Sequence, residues 1–598
     1  MNNSTNYYRN RILFGTDELT QLKKRIHLYG TLRLIIFCGG IAVTWLCRGA
    51  GWPAMIAVAT FSGAYFAALV AIHSRLFARK LYIEKMIELC TGEMQGMDCD
   101  FEAFDGAPEE ADSQHDFSAD MDIFGAHSLF QSINRTCTHA GKRLLIKWLK
   151  HPLDTKAAIL KRQEAIREMC RISRFRLHFI ITGMVDKDSR DDILKCSALF
   201  DGTSSRLSQS LLWRIIVWTV PLAWLAILTA IICGILPAGA GGIMFAVIFL
   251  IAYLPGKYIH RLHRRAEKIE NILKTYSCLI KQVEDEPFVS EELLNMQHNL
   301  VTHTGAASRH IRRLSAIIGA LDQRFSFAGI ILNIIYLRDV RQAMRLEAWT
   351  EAYAKDALRW FDALAHIDAL CSLGTFAFNH PEYTYPTIND AGFRIEGKAL
   401  GHPLIHHDKC IRNDVSIPRR PFLLIITGAN MAGKSTYLRT VGVNFLLACM
   451  GLPVFADTLT ISPAHLMTSL RTTDSLAANE SSFFAELKRL KKIIDHLRMG
   501  DELFIVLDEI LKGTNSEDRQ RGSLNLMNQL IALNSCGIIA THDLMLGTME
   551  KTFPEHIHNC CFEADIDDDR LTFDYSLRHG IAQNMNASFL MKKMGITL

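Results

Sequence analysis

Two long stretches of the chain are almost entirely apolar, and they set the outline of the predicted architecture. Residues 215–256 include no Asp, Glu, Lys, Arg or His. A helix needs about 20 apolar residues to cross the hydrocarbon core of a bilayer, so this stretch is long enough to cross twice. A glycine-rich segment at residues 237–242 lies between its two halves. The pattern therefore predicts a helical hairpin of two membrane spans.

A second apolar hairpin is predicted nearer the N-terminus. Residues 34–47 and 49–72 are uncharged, with Arg48 between them. The first arm needs residues 28–33 to complete a span, with the charged end of Arg33 extending towards the membrane surface. The alternative interpretation is that the helices of either hairpin are buried core helices of a large soluble protein.

The basic residues around both hairpins predict their orientation. They lie on the outer flanks, at Lys23, Lys24, Arg25, Arg75, Arg79 and Lys80 for the first hairpin and at Arg214, Lys257, Arg261, Arg264 and Arg265 for the second. Only Arg48 lies in a connecting turn. Because positively charged flanks stay on the cytoplasmic side, the sequence predicts four spans in the cell inner (cytoplasmic) membrane, with every sizeable soluble segment facing the cytoplasm.

The segments outside the hairpins show acidic and helical patterns. Residues 97–120 are acidic and poor in aliphatic side chains, which predicts a solvated linker. From Asp122 onwards apolar residues recur at helical spacing, and Pro152 marks a break between helices. Residues 259–280 have the same spacing, so we expect a long helix to continue out of the membrane.

Charge and cysteine content narrow the functional classes only slightly. A net charge of +4 over 598 residues neither indicates nor excludes a nucleic-acid partner, because a basic groove can be hidden in a nearly neutral total. Arg309, Arg312, Arg313 and Arg324 could face phosphates or could lie on a solvated helix face. The 15 cysteines form no CxxC pair, which favours a reduced, cytosolic environment for the soluble parts.

The densest cluster of metal-ligand residue types lies near the C-terminus. His556, His558, Cys560 and Cys561 could in principle bind zinc. The alternation of residues 557–565, followed by a polar turn and a second run, instead favours a β-hairpin. The hairpin is the preferred interpretation, because zinc ligands normally come from two separated pairs.

The segment TGANMAGKST, residues 427–436, has the setting of a phosphate-binding loop. It follows an apolar run typical of a buried strand and precedes apolar residues at helical spacing. Gly428 and Gly433 would permit the turn, and backbone NH groups would hold the phosphates. Lys434 would neutralise the β- and γ-phosphates, and Ser435 would bind Mg2+. The predicted nucleotide-binding residues are Gly428, Ala429, Asn430, Met431, Ala432, Gly433, Lys434, Ser435 and Thr436.

Two further apolar runs end in residues suited to nucleotide hydrolysis. ELFIVLDEI ends in Asp508 and Glu509. Asp508 could bind Mg2+ through water, and Glu509 could orient and polarise the attacking water. CGIIATHD places His542 at the C-terminal end of a strand, where it could sense the γ-phosphate. The three motifs together predict an ATPase core of the doubly wound α/β type.

Four motifs follow one another along the chain: the phosphate loop with its Asn430-Met431 pair, NESSFFAEL, DEILKGT and ATHD. In these motifs and their order, residues 122–598, interrupted by the second hairpin, resemble the MutS family of DNA mismatch repair ATPases. SLFQSINRTCTHAGKRLLIKWLKHPL and FDALAHIDALCSLGTFA resemble parts of the family's helical core domain. GKALGHPLI resembles the entry to its ATPase domain.

The resemblance implies ATP and Mg2+ as cofactors, DNA as a partner, and a homodimer formed through the ATPase domain. In the family's signature loop a serine reaches across the dimer to the partner's γ-phosphate, and Ser481 or Ser482 would take that role. Glu509, Lys434 and His542 complete the predicted catalytic set.

Three features depart from the family pattern. Members that recognise mismatches carry a Phe-x-Glu reading domain ahead of the core, whereas residues 1–120 contain a predicted hairpin and an acidic segment. The second hairpin lies in the region where the family's DNA clamp is normally inserted. Leu511-Lys512 replaces a Gly-Arg pair, which bears on communication across the dimer rather than on nucleotide binding.

The predicted fold is an α/β P-loop ATPase domain at the C-terminus plus an all-α MutS-like core domain with two transmembrane helical hairpins. The predicted boundaries are an N-terminal cytoplasmic segment at 1–27, hairpins at 28–80 and 211–257, an acidic linker at 81–121, helical core at 122–210 and 258–385, and the ATPase domain at 386–598. The predicted function is a membrane-anchored, dimeric ATPase switch that binds mismatched or otherwise structured DNA.

Two alternatives keep the ATPase but change its target. The first is a switch that acts on a protein partner instead of DNA. The second is a transporter-like machine that moves membrane helices. The lack of an LSGGQ-type signature and of charge within the second hairpin argues against a transporter.

Overall fold

The computed structural model describes residues 3–185, 200, 206–237, 239–266, 269–302, 305–429, 431–470, 482–567 and 570–583. The helices are α1 Asn3–Leu46, α2 Trp52–Met97, α3 Leu129–Ile133, α4 His139–Lys150, α5 Lys156–Arg171, α6 Ser173–Met184, α7 Leu211–Ile232, α8 Gly239–Tyr253, α9 Gly256–Ala266, α10 Ile269–Asp285, α11 Glu291–His298, α12 Ala307–Asp322, α13 Phe327–Tyr336, α14 Arg338–Asn379, α15 Lys434–Cys449, α16 Ser482–Met499, α17 Ser516–Ala532, α18 Leu544–Gly547 and α19 Met549–Thr552. The strands are β1 Val301–Thr302, β2 Gly305–Ala306, β3 Thr387–Ile388, β4 Ile395–Leu400, β5 Asn413–Ile417, β6 Phe422–Gly428, β7 Thr458–Ile461, β8 His465–Ser469, β9 Leu503–Asp508, β10 Cys536–Thr541, β11 Ile557–Asp567 and β12 Arg570–His579.

Helices α1 and α2 form the N-terminal hairpin and pack against each other. Near the turn their apolar side chains are exposed, and the side chains of Trp52 and Phe61 are 73% and 76% exposed. At the other end of the hairpin, Ile83 and Cys90 are buried in an apolar cluster with Ile181 of α6. The hairpin is therefore anchored in the fold at its base and presents an apolar surface towards its tip.

Helices α7 and α8 form the second hairpin, and a third apolar helix packs against it. The ten-residue α13 contacts both α7 and α8, and Trp224 Nε1 donates to the carbonyl oxygen of Ile334 at 3.2 Å. Ile330 and Ile335 of α13 are about half exposed, at 50% and 46%. This helix was not predicted, because ten residues, nine of them apolar, are too few to suggest a span.

The helix that leaves the second hairpin is not continuous, so the prediction of one long helix is wrong there. Helix α8 ends at Tyr253 and α9 begins at Gly256, and the two axes differ by 56°. Pro255 lies at the break, and proline has no N–H to donate and clashes with the preceding helical turn. Helical spacing resumes beyond the break, which is why periodicity alone did not reveal the bend.

The acidic segment is not a solvated linker, and that prediction is also wrong. Residues up to Met97 belong to α2, and Phe117 and Met121 are completely buried. The carboxylates of the segment pair with basic residues of other elements, a feature that composition cannot reveal. Three of these pairs are Asp105 with Lys142, Glu110 with Lys150, and Asp116 with Lys492.

Helix α14 organises the helical core, because α4, α5, α6, α10, α11 and α12 all pack against it. Its Asp368 is completely buried and accepts hydrogen bonds from Cys137 N at 3.0 Å, Thr138 N at 2.8 Å and Thr138 Oγ1 at 2.6 Å. Burial raises the pKa of Asp368 to about 6. The carboxylate fixes the start of α4, and α4 ends before Pro152, as predicted.

The C-terminal part of the chain contains a six-stranded sheet in the order β12-β11-β6-β10-β9-β8. All neighbouring strands are parallel except β12, which runs antiparallel to β11. Alternate residues of β6 belong to apolar clusters on opposite faces, Leu424 and Ile426 on one and Leu423 and Ile425 on the other. A parallel sheet covered on both faces is the doubly wound arrangement. The pairing of β11 with β12 confirms the predicted β-hairpin.

We expect Asp368→Ala to lower the free energy of unfolding by about 2–4 kcal/mol. The substitution leaves three buried donors without an acceptor, and each costs roughly 1–3 kcal/mol, offset in part because a buried charge is removed. Thermal unfolding of the full chain measures the loss. Asp362→Ala is the matched control, because its side chain is 74% exposed on the same helix. Equal melting temperatures for both variants would contradict the prediction.

Candidate functional site

The loop between β6 and α15 has the backbone conformation of a phosphate cradle. Gly428 and Gly433 have φ values of 152° and 104°, which side chains rarely adopt. A Cβ on Gly428 would lie 2.6 Å from the carbonyl oxygen of Phe562, so β11 leaves no room for a larger residue. Lys434 Nζ donates to the carbonyl oxygens of Gly428 and Ala429 at 2.9 and 2.8 Å. The lysine therefore lies across the loop.

The remaining predicted loop residues flank this cradle. Ala432 is buried, Met431 has a φ of 66° and a largely exposed side chain, and Thr436 is exposed on the first turn of α15. Asn430 lies outside the described residues.

Ser435 and Asp508 come together at the carboxyl edge of the sheet. Ser435 Oγ donates to Asp508 Oδ2 at 2.6 Å. Asp508 Oδ1 is buried and has no hydrogen-bond partner among the described residues. Burial raises the pKa of Asp508, and the nearby lysines Lys434 and Lys512 only partly oppose this effect. A hydroxyl and a carboxylate with an unused acceptor are the donor types that Mg2+ prefers, so these residues fit the predicted cation.

Glu509 and His542 meet beside this pair. Glu509 has a φ of 49°, and its N–H donates to Ala540 O of β10 at 2.9 Å. Its carboxylate lies 2.8 Å from His542 Nε2 and 2.9 Å from Lys512 Nζ. The hydrogen bond from His542 is the largest influence that lowers the pKa of Glu509 to about 2. The carboxylate is therefore ionised at neutral pH.

His542 also lies close to Lys434, with 3.3 Å between Nε2 and Nζ. An imidazole nitrogen carries either a proton or a lone pair. Nε2 can therefore donate to Glu509 or accept from Lys434, but it cannot do both at once. The histidine thus has two alternative partners, one on the phosphate loop and one at the end of β9.

A cavity of about 500 Å3 opens beside the phosphate loop. The residues on its far side were not predicted from the sequence. They come from the segment around β4 and β5 and from the β11–β12 hairpin. These residues are Leu400, His402, Ile405, Cys410, Phe562 and Tyr575. The motif GKALGHPLI was the only signal that pointed here, because it contains three of them. The cavity extends the phosphate loop into a groove with apolar and aromatic walls.

The described part of the segment NESSFFAEL, which resembles the family's signature loop, contacts the loop that follows β9. Ser481 lies outside the described residues, and Ser482 is the first residue of α16. Phe483 and Glu486, which follow Ser482 in this helix, both contact the loop. Phe483 packs on Gly513, and the buried carboxylate of Glu486 accepts a hydrogen bond from Leu511 N. The start of α16 is therefore coupled to the segment that carries Glu509.

Leu511 and Lys512 fill the positions where the sequence departs from the family pattern. Leu511 has a φ of 60°, so the chain keeps a conformation suited to glycine despite a leucine at this position. Burial of the leucine side chain and its N–H bond to Glu486 hold that conformation. Lys512 pairs with Glu509 as described above, so the residue at this position contacts the predicted catalytic carboxylate directly.

Comparison with known proteins identifies the family. Residues 113–328 match the family model for MutS domain III, and residues 424–593 match that for MutS domain V. The chain belongs to the MutS family. The first match includes the second hairpin, so this MutS chain carries its apolar hairpin inside domain III.

Several mismatch repair proteins are similar to this MutS-family chain. The DNA mismatch repair protein msh3 of Aspergillus oryzae is 22% identical over 76% of this chain and 45% of its own length. DNA mismatch repair protein MutS of Natronomonas pharaonis is 31% identical over 37% of this chain and 26% of its own length. MSH4 of Arabidopsis thaliana is 28% identical over 40% of this chain and 31% of its own length. The chain thus spans less than half the length of these relatives.

Proposed function

We propose that this MutS-family chain is a membrane-tethered, ATP-driven switch that binds DNA as a dimer. The observation that carries the proposal is the convergence of three motifs at one edge of the sheet. There Ser435 donates a hydrogen bond to Asp508, and His542 lies within hydrogen-bonding distance of both Lys434 and Glu509. The cavity beside them offers space for a nucleoside.

Each residue of this group has a distinct role in the proposed ATP hydrolysis. Ser435 and Asp508 would hold Mg2+, which offsets phosphate charge when bound. Lys434 is placed to neutralise phosphate oxygens at the loop. Glu509 is held ionised and can accept a proton from an attacking water once it separates from His542. His542 can link the phosphate loop to Glu509, because a shift of its imidazole towards Lys434 would break the contact with the Glu509 carboxylate.

The contacts of α16 support communication between the two subunits of a dimer. A serine at position 481 or 482 would reach the partner's γ-phosphate. Displacement of the start of α16 would then act on the catalytic loop through Phe483 on Gly513 and through Glu486 on Leu511. Nucleotide occupancy in one subunit would in this way influence Glu509 in the other.

The two hairpins support a membrane tether in the inner membrane, with the rest of the chain in the cytoplasm. The most apolar 18-residue windows of α1, α2 and α7 are 0%, 6% and 11% buried in the fold. The corresponding window of α14 is 83% buried, so that helix is a core helix. Exposing several hundred Å2 of continuous apolar surface to water is unfavourable, and a bilayer would cover it.

The DNA partner is proposed from the family, whose similar members are named as mismatch repair proteins. Three arginines of α12, Arg309, Arg312 and Arg313, are exposed and are the candidate phosphate contacts. Arg324 is not a candidate, because it pairs with the buried Asp339 at 3.4 Å.

A second candidate function is a switch that acts on the membrane helices, and specific contacts of α14 favour it. Glu347 of α14 is buried and accepts from Leu207 N, Ser208 N and Tyr258 Oη at 2.7–2.9 Å. These residues lie just before α7 and on α9, at the two ends of the second hairpin. The carboxylate therefore holds both ends of that hairpin on α14.

The other end of α14 contacts the base of the first hairpin. Asn379, its last residue, donates to Glu93 of α2 at 2.7 Å and accepts from Tyr8 Oη of α1 at 2.9 Å. Glu93 also pairs with the buried Arg135 at 2.6 Å. A single helix thus connects both hairpins and leads directly into the α/β unit, so rearrangement of that unit could move the hairpins.

We expect the full chain purified in detergent to hydrolyse ATP, and Lys434→Ala, Asp508→Asn and Glu509→Gln to lower kcat by about 100-fold or more. Glu509→Gln should retain nucleotide binding, because it keeps the shape and removes only the base. The matched controls Lys551→Ala and Glu517→Gln change exposed residues outside the site. Turnover that Glu509→Gln leaves intact would refute the assignment of the catalytic base.

Salt-dependent DNA binding separates the two candidate functions. If DNA is the partner, affinity for duplex, mismatched or branched DNA should fall by about tenfold or more between 50 and 200 mM salt. The triple variant Arg309→Ala, Arg312→Ala, Arg313→Ala should weaken binding and reduce the salt slope, while Lys551→Ala should not. Fluorescence anisotropy with and without ATP measures both. Absence of binding at low salt with ATP turnover intact would favour the switch on membrane helices.

The native cysteines test the proposed topology. Cys47 and Cys233 lie at the turns of the two hairpins, and Cys278 is exposed on α10. We expect a membrane-impermeant maleimide to label Cys47 and Cys233 in spheroplasts, and Cys278 only after permeabilisation, as read by peptide mass spectrometry. The variants Cys47→Ser and Cys233→Ser identify the labelled peptides. Labelling of Cys278 in intact spheroplasts would contradict the orientation.

A further inference from the structure

Three metal-ligand side chains meet on the β11–β12 hairpin. His558 and Cys560 are two residues apart on β11 and share one face of the strand. His579 of β12 is the direct cross-strand partner of Cys560. His558 Nε2 lies 2.9 Å from His579 Nδ1, which lies 4.0 Å from Cys560 Sγ. All three ligand atoms lie within 4.8 Å of one another.

A fixed carboxylate orients the first of these histidines. Glu550 of α19 lies with Oε1 3.1 Å from His558 Nδ1. Its other oxygen, Oε2, accepts from Asn559 Nδ2 at 2.6 Å, and Asn559 in turn donates to Gly547 O at 2.7 Å. With a proton on Nδ1 donated to Glu550, the lone pair of Nε2 points towards His579 and Cys560. A carboxylate that orients a histidine in this way is the usual support of a metal-ligating imidazole.

We propose that His558, Cys560 and His579 bind a Zn2+ ion. Two imidazole nitrogens and one thiolate are ligands that Zn2+ takes in tetrahedral sites, at about 2.0–2.1 Å for nitrogen and 2.3 Å for sulfur. Tetrahedral geometry at those lengths requires roughly 3.3 Å between the two nitrogens and roughly 3.6 Å between sulfur and nitrogen. The distances of 2.9 Å and 4.0 Å given above each differ from these by less than about half an ångström, and the third pair, His558 Nε2 and Cys560 Sγ, lies within 4.8 Å. Side-chain adjustment would close the remaining differences.

The burial of the three ligands defines the type of site. Cys560 is buried, His558 is half-buried and His579 is exposed, so solvent reaches one side of the cluster. Three protein ligands and an open side leave a fourth position for water. Burial raises the pKa of the Cys560 thiol to about 12. On binding, the thiol proton passes to solvent and the sulfur lone pair bonds to the metal, so affinity rises with pH.

The cluster differs from the one that the sequence suggested. His556 Nδ1 lies 3.2 Å from the carbonyl oxygen of Pro421, and Cys561, the next residue after Cys560, faces the opposite side of the strand. Neither belongs to the group of three. His579 joins it only because β12 pairs with β11. A bound metal would cross-link these strands next to Phe562, which lines the cavity beside the phosphate loop.

Cobalt substitution tests the proposal on the chelator-treated full chain. Titration with Co2+ should give about one ion per chain, with the visible bands of a tetrahedral site and a near-ultraviolet thiolate-to-cobalt charge-transfer band. Addition of Zn2+ should abolish these bands. Cys560→Ser should remove the charge-transfer band, His579→Gln should weaken binding by 100-fold or more, and Glu550→Gln by about 10–100-fold.

Matched variants keep the test decisive. His556→Gln and Cys561→Ser change the neighbouring residues of the same types and should leave both the stoichiometry and the bands unchanged. His579→Gln alters an exposed side chain, so its circular dichroism should equal that of the wild type and exclude misfolding as the cause of lost binding. Absence of Co2+ binding would overturn the proposal. A charge-transfer band that survives in Cys560→Ser, or that disappears in Cys561→Ser, would overturn it as well.

Discussion

Parallel pairing of β6, β10 and β9 is the constraint on which the candidate site depends. Parallel strands end at the same edge of a sheet, and the register aligns Ile426 with Ala540 and Ala540 with Asp508. The residues that follow each strand therefore meet, although more than 100 positions separate Lys434 from His542 in the chain. Both faces of this sheet are covered by apolar clusters, so the strands cannot shift register without exposing one of them.

Helix α14 extends the influence of this sheet to the rest of the molecule. At about 1.5 Å per residue its 42 residues span roughly 60 Å, and its buried polar groups hold the bases of both hairpins. Burying a carboxylate such as Glu347 or Asp368 costs desolvation free energy. Hydrogen bonds from the surrounding donors offset that cost, so the packing around each carboxylate depends on those donors staying in place. Through these contacts the helix joins the bases of both apolar hairpins to the α/β unit that carries the proposed nucleotide site.

Much of the fold could be predicted from the sequence, and the errors have identifiable causes. Local signals were sufficient for the apolar hairpins, the helix break before Pro152, the ends of β6, β9 and β10, and the β11–β12 hairpin. The acidic segment was misinterpreted because its carboxylates find their cations on distant elements. The bend at Pro255 was missed because helical spacing resumes after it, and α13 because a short apolar helix has no distinctive length.

The sequence by itself determined which residue types stand at the ends of strands and which segments are long and apolar enough to span a membrane. These properties depend on spacing along the chain, which sequence records directly. Only the tertiary structure decided that His542 lies within reach of both Lys434 and Glu509. It also decided that Glu486 accepts a hydrogen bond from Leu511 N, and that His579 lies beside His558 and Cys560. Such contacts depend on which strands and helices become neighbours, and the packing of the whole chain settles that choice.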